Sequence, residues 1–250
     1  ATPIKNDSDF SDSILLSTLM TKWLLYKKSI VKLSTHANFV SSTMNHINPM
    51  LGRKRIGDIN EGDIQDLIMY LYNNGRKDGK GGLSVKTIKD VILPLKLALD
   101  YAAKRRVIPK LEWNTIEYPK STSKSRVIAL SQEEEQQLIQ TIYLNLDRKT
   151  CGILLTLMTG LRIGELCGLQ MKDISLSKQT ISINKTVQRV YDSRRKTSNL
   201  YIGQPKSESS IREIPVPKML IKVMQKFHNE KRPENYFLTD AKNPTEPRTY

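Results

Sequence analysis

Apolar positions recur at helical spacing along most of the first half of the chain. Ile14, Leu15, Leu16, Leu19, Met20, Trp23, Leu24 and Leu25 form one broad stripe, which predicts a helix from Ser13 to Lys28 with a buried face. Ser34 or Thr35 can cap a second helix that runs to about Asn48, where Asn48, Pro49 and Gly52 end it. Ile64, Leu67, Ile68 and Leu71 place a third between Asn60 and Asn74. After a glycine-rich loop, Gly75 to Gly82, Ser84 caps a long fourth helix whose buried side carries Val85, Ile88, Ile92, Leu95, Leu99 and Ala102, with Pro94 inside it as a kink. Four helices on short loops predict a small bundle.

The pattern then breaks. Pro119 to Arg126 has no apolar residue and is itself cationic, which reads as a linker. Beyond it, Ser131-Gln-Glu-Glu134 is a capping box opening a helix with Leu138, Ile139 and Ile142. Cys151 to Met158 is almost wholly apolar and is expected at the centre of a second domain, ending at Thr159-Gly160. A short helix from Ile163 to Leu169 follows, and Thr180 to Val190 alternates as a strand. Leu200 to Pro205 and Ile211 to Val216 read as two further strands flanking Lys206 to Ser210, in a small antiparallel sheet, before helix returns from Pro217 to Asn229. The expected fold is mainly α with a small antiparallel sheet in the second domain: a flexible N-terminus over 1–9, a helical domain over 10–118, a linker over 119–126 and an α+β domain over 127–250.

Charge narrows the function. The 250 residues carry a formal +15. Residues 1–120 hold 19 basic against 12 acidic groups and residues 121–250 hold 21 against 13, so the excess divides into +7 and +8. Two separately basic bodies on a basic tether suit a partner with a repeating negative backbone, which puts nucleic acid ahead of an anionic membrane surface. No sustained helix combines a Lys/Arg face with a Trp/Phe/Leu face, and no run reaches the ~20 apolar residues of a membrane span. Residues 1–10 are polar and mixed in charge, which excludes an intact secretory signal there. Cys151 and Cys167 are too few for a disulfide framework or a four-thiolate zinc site and are expected to be small core residues in a reducing compartment. Glu133 to Glu135 lies in the first turn of a helix, where carboxylates favour the dipole.

Two segments can carry chemistry. In Thr159-Gly-Leu-Arg-Ile-Gly-Glu-Leu166, Arg162 follows a glycine break directly behind an apolar helix and precedes Glu165 by three residues. A buried guanidinium there would take Glu165 as its acceptor and keep donors for a phosphate; a structural Arg-Glu pair at a helix start satisfies the same spacing. Lys206 sits in a tight polar segment between two strands, with Arg212 on the second. A positioned ammonium there can protonate a leaving oxygen or attract phosphate, and a solvated basic hairpin is the plainer alternative.

Together, the arginine block, Pro205-Lys-Ser-Glu-Ser-Ser-Ile-Arg-Glu-Ile-Pro-Val-Pro217 and the Ser131-capped helix resemble the catalytic domain of tyrosine recombinases. Gly57-Asp-Ile-Asn60 and Ser84-Val-Lys-Thr-Ile-Lys89, with the helix opening at Ser34-Thr35, resemble their helical core-binding domain; the likeness is nearest to integrases of conjugative transposons and phages. The resemblance implies phosphoryl transfer without metal or cofactor, in which a tyrosine attacks a DNA phosphodiester and leaves a 3′-phosphotyrosine link, inserting or excising a mobile element. Arg162 matches the arginine that neutralises the transition state, Lys206 the general acid toward the departing 5′-oxygen, and Glu165 the acid that supports the arginine. Implied partners are double-stranded DNA at recombination sites, further copies of the protein on that DNA, and an accessory DNA-bending or excision factor. The implied location is the bacterial cytoplasm, at the nucleoid. DNA contact is expected at Thr35, Asn38, Lys86 and Lys89, at the starts of the second and fourth helices, and at Lys124 and Arg126 in the linker; for each, a solvated charged face is the alternative.

The sequence also departs from that family. Its histidines are His36, His46 and His228, and none begins a His-x-x-Arg. Tyr250 is not expected to be the nucleophile, because Pro247-Arg-Thr-Tyr250 resembles the stretch before the later motifs. The expectation is a recombinase cut off within its catalytic domain, which binds DNA but does not cleave it. A noncatalytic DNA-binding regulator is the competing reading. A metal-dependent nuclease would need clustered acids on strands, and the predicted strands have few.

Overall fold

The computed structural model describes residues 11–120, 129–192, 197–203 and 210–250, which form two compact units. The linker residues Lys124 and Arg126, and Lys206, lie outside the described residues.

The first unit is helical. Helix α1 (Leu16–Lys27) buries Leu16, Leu19, Met20 and Trp23, while Leu15 and Leu25 of the predicted stripe face solvent. Helix α2 (Leu33–Ser42) begins earlier than the sequence implies. Lys32 stands at its N-cap without a side-chain cap, and Ser34 and Thr35 fall inside the first turn. Tertiary contacts decide this start: Phe39 packs on Trp23 with ring centroids 5.4 Å apart, and the His36 ring is 3.0 Å from the Leu24 carbonyl. The helix also does not stop at Pro49. A π-helical turn over Thr43–Ile47 leads directly into α3 (Asn48–Leu51). Pro49 has no N–H to return four residues back, and the backbone instead widens so that the Asn48 N–H reaches the Thr43 carbonyl.

Local signals govern the next two helices. Asn60 caps α4 (Glu61–Asn74) in a reciprocal box with Asp63, whose carboxylate also holds Lys54 at 2.5 Å. Ser84 accepts from the Thr87 N–H to start α5 (Val85–Lys104), which carries buried Pro94 in its interior. Trp113 folds back on α5, donating to Asp100 at 2.8 Å beneath the Lys96 ammonium.

In the second unit Ser131 and Glu134 form the expected box at the start of α6 (Gln132–Leu144). Helix α7 (Arg148–Thr159) buries Cys151, Leu154 and Leu155 but leaves Ile153 and Leu157 partly exposed, so it lies against the core by one face and is not enclosed. Gly160 ends it at φ 67°, a left-handed conformation that glycine adopts without Cβ strain. Helix α8 (Ile163–Gly168) follows. The single strand expected over 180–190 is two. Strands β1 (Ile174–Ser175) and β2 (Thr180–Ile183) pair antiparallel, Asn184 and Lys185 turn aside to bind Asp173, and β3 (Thr186–Asp192) pairs with β4 (Thr197–Gly203). Strand β5 (Arg212–Pro215) joins β2, with Ile183 opposite Arg212. Among the described residues, the two strands on either side of the Lys206 segment therefore belong to different sheets, β4 with β3 and β5 with β2, and are not paired with each other as the sequence suggests. Alternation identifies strands but carries no pairing partner. Helix α9 (Lys218–Gln225) buries Leu220, Ile221, Val223 and Met224. The architecture among the described residues is thus mainly α, with two small sheets. No helix among the described residues is long and apolar enough to cross a membrane.

Candidate functional site

The left-handed Gly160 turns the chain out of α7, Leu161 anchors it in the core, and Arg162 stands extended at the N-cap of α8. Gly164 sets how closely α8 approaches the sheet: a Cβ there would lie 2.6 Å from Thr186 Oγ1 and 2.7 Å from the Val187 carbonyl oxygen. Gly164→Ala is expected to cost about 1–2 kcal/mol in urea unfolding, reversing the ~1 kcal/mol that alanine ordinarily gains over glycine inside a helix. An unchanged or raised midpoint would refute that close approach.

At the first turn of α8 the sequence expectation is inverted in one respect. It is the carboxylate that is buried, not the guanidinium: the Glu165 side chain is 4% exposed and that of Arg162 is 72% exposed. Gly160 and the N-cap swing Arg162 outward, while Glu165, three residues on, points into the core. Two arginines hold that carboxylate. Arg162 donates from Nη1 to Oε1 at 3.0 Å and from its backbone N–H to Oε2 at 3.1 Å. Arg212, reaching from β5, donates from Nη1 to Oε1 at 3.1 Å and from Nη2 to Oε2 at 2.9 Å. Burial pushes the Glu165 pKa up, but the hydrogen bonds from Arg212 and then from the Arg162 backbone and side chain outweigh it, and the net shift is downward. Glu165 is therefore a stable anion beneath an exposed guanidinium, an arrangement suited to presenting positive charge to a phosphate.

The structure brings Arg162 and Glu165 together as expected and adds Arg212, to which the sequence assigned no role. Its partner is 47 positions away, so only the strand order reveals it. In the first unit Thr35 and Asn38 are exposed on α2, and Lys86 and Lys89 are exposed on the first turns of α5, with Lys89 Nζ 5.1 Å from the Tyr118 ring centroid. Helices α2 and α5 pack together.

Tyr250 is not poised as a nucleophile. Its hydroxyl donates to the Lys149 carbonyl, and burial, with the neighbouring Cys167 and Cys151 thiols, raises its pKa. Burial also pushes Cys151 to about 12 and, at Cys167, to about 11, which makes both thiols inert core groups at neutral pH.

The family described as "Phage integrase family" matches residues 128–250, and "Phage integrase, N-terminal SAM-like domain" matches residues 15–72. A "Tyrosine recombinase XerC-like" protein of Caldanaerobacter subterraneus subsp. tengcongensis is 29% identical over 246 residues, covering 90% of this chain and 58% of that protein. The "ICEBs1 integrase" of Bacillus subtilis is 22% identical over 226 residues, covering 87% and 55% respectively. The chain thus spans somewhat over half the length of these curated relatives. Among solved structures, the Tn1549 transposon integrase in complex with a circular intermediate DNA superposes with a TM-score of 0.69 at 23% identity, over 93% of this chain and 71% of that one. A lambda integrase tetramer bound to a Holliday junction superposes at 0.60 with 16% identity, over 99% and 68%. At these identities the two structures share a fold with the chain.

Proposed function

Because this chain belongs to the tyrosine recombinase and integrase family, we propose that it binds duplex DNA at recombination sites and presents an arginine-centred pocket to the scissile phosphate, in a site-specific recombination that inserts or excises a mobile element. The observation that carries this reading is the exposed Arg162 guanidinium seated on the buried Glu165 anion. In the reaction, a tyrosine hydroxyl attacks phosphorus, the P–O5′ bond breaks and a 3′-phosphotyrosine remains. Arg162 neutralises the nonbridging oxygens as charge builds on them, and Glu165 keeps that guanidinium in place. Lys206 delivers the proton to the departing 5′-oxygen. Thr35, Asn38, Lys86, Lys89, Lys124 and Arg126 hold the DNA backbone. Strand exchange joins two duplexes, so several copies act together on the DNA, with an accessory bending or excision factor, in the cytoplasm at the nucleoid.

The 250 residues contain no His-x-x-Arg, and the Tyr250 hydroxyl is engaged with Lys149. The engaged Tyr250 hydroxyl favours a second reading, a DNA-binding regulator without cleavage. Both readings assign DNA binding but no cleavage to this chain, and reading the gene past the Tyr250 codon separates them. A His-x-x-Arg and a further tyrosine there support the recombinase, and an immediate stop codon removes it.

DNA binding is tested by titrating duplex DNA across a salt series, where log affinity is expected to fall linearly with log salt by about 0.9 per phosphate contacted. Affinity indifferent to salt rules out a phosphate-dominated interface. With a nicked suicide duplex, the chain is expected to form no covalent product. An adduct at Tyr250 would overturn the assignment of that residue to the core.

A further inference from the structure

A carboxylate offers about four acceptor positions, two on each oxygen. At Glu165 all four are filled: Oε1 receives Nη1 of both Arg162 and Arg212, and Oε2 receives the Arg162 backbone N–H and Arg212 Nη2. Arg212 contributes the two-toothed half of this clamp and is the more enclosed arginine, 30% exposed against 72% for Arg162. One anion between two permanent cations leaves a surplus of one positive charge, and the exposure difference delivers it to solvent through Arg162. Arg212 Nη1 also donates to the Ser210 carbonyl at 3.1 Å, binding the start of the strand segment that follows residue 209 to the same carboxylate.

We propose that Arg212 is a positioning residue for the recombination site: by occupying both oxygens of Glu165 it keeps that carboxylate from folding Arg162 into a closed bidentate pair, and so holds the Arg162 guanidinium outward and net positive toward phosphate. Without Arg212 the local charge falls to zero. Glu165 then has two vacant acceptor positions, and the nearest donor able to fill them is the rest of the Arg162 fork. The same contact ties β5 to the helix that carries Arg162 through one carboxylate. The inference rests on the reading of Arg162 as the phosphate-facing group.

The test compares Arg212→Lys, Arg212→Met, Arg162→Ala and the doubles carrying Arg162→Ala, all in the 250-residue chain. The first measurement needs no DNA. Guanidinium nitrogen signals of Arg162 are followed by NMR, and Arg212→Lys, which keeps the charge but loses the fork, is expected to change their shifts and the rate of rotation about the Cζ–Nη bonds while the rest of the backbone spectrum stays in place. Unchanged Arg162 signals overturn the proposal. Should Arg212→Met fail to fold, the lysine variant carries both measurements. The second is duplex affinity against salt. Arg162→Ala is expected to reduce the salt slope by about 0.9. Arg212→Met is expected to weaken binding about tenfold, the size of one charge-assisted contact, with Arg212→Lys in between. In the Arg162→Ala background the Arg212 substitutions are expected to have no further effect. A loss of the same size in both backgrounds means that Arg212 touches phosphate directly or serves only the fold, and the proposal falls. A wild-type chain that does not bind duplex removes the functional reading, while the nitrogen signals still decide whether Arg212 positions Arg162.

Discussion

Glu165→Ala is expected to destabilise the second unit by about 2 kcal/mol and to lower its melting temperature by roughly 8 °C. Breaking a buried ion pair costs about 3–5 kcal/mol when the stranded charge stays buried. Here the groups left behind are guanidiniums, and Arg162 at 72% exposed rehydrates at once. Most of the cost comes from Arg212, which is 30% exposed and loses both of its bonds to the carboxylate, so the lower figure applies. The same carboxylate gives a pH signature. Its pKa is lowered in the folded chain, so its contribution to stability is fully present above the ordinary carboxylate range and is lost as pH falls below about 4. Urea midpoints measured from pH 7 to pH 3 are expected to fall more steeply for the wild type than for Glu165→Ala, with the two curves converging at the acid end. Parallel curves would show that Glu165 is not an anion held by the two arginines.

Arg148→Ala is expected to cost about 3 kcal/mol, the largest single effect foreseen. Arg148 lies in the first turn of α7, and its Nη1 donates to the carbonyls of Phe227 at 2.7 Å and Phe237 at 3.0 Å while Nη2 meets Asp240 at 3.1 Å. Its guanidinium also lies 5.7 Å from the Phe227 ring centroid. One side chain thus fastens α7 to the end of α9 and to the turn after Phe237. Truncation strands two partly buried carbonyls, at about 1 kcal/mol or more each, and takes from Asp240 its nearest cation, leaving it Arg232 at 3.9 Å. Arg148→Lys is expected to recover less than half, because an ammonium lacks the planar fork that serves three acceptors at once. A melting temperature within 2 °C of wild type for the alanine variant, measured by calorimetry, would contradict the fastening role.

What was legible in the sequence was mostly what neighbours along the chain decide. The box at Ser131–Glu134, the Ser84 cap and the Gly160 stop all form as read, because each joins groups within four residues. The helix start expected at Ser34 or Thr35 failed because a cap is worth only about 1 kcal/mol and the burial of Phe39 on Trp23 competes with it. Pro49 was read as a stop, and the π-turn over Thr43–Ile47 absorbs it. In the site, Arg162 and Glu165 were legible as a pair from their spacing, but which of them is buried was not: spacing places two side chains on one turn without saying which faces the core.

The sequence by itself determined the helical periods, the caps, the basic character of both halves and the motif that marks Arg162, since these depend on residue type and short separation. Only the tertiary structure decided that β5 pairs with β2 rather than β4, and with it that Arg212 reaches Glu165. That contact spans 47 positions. Alternation carries no partner, so the identity of the second arginine waits on how the strands are ordered in the folded chain.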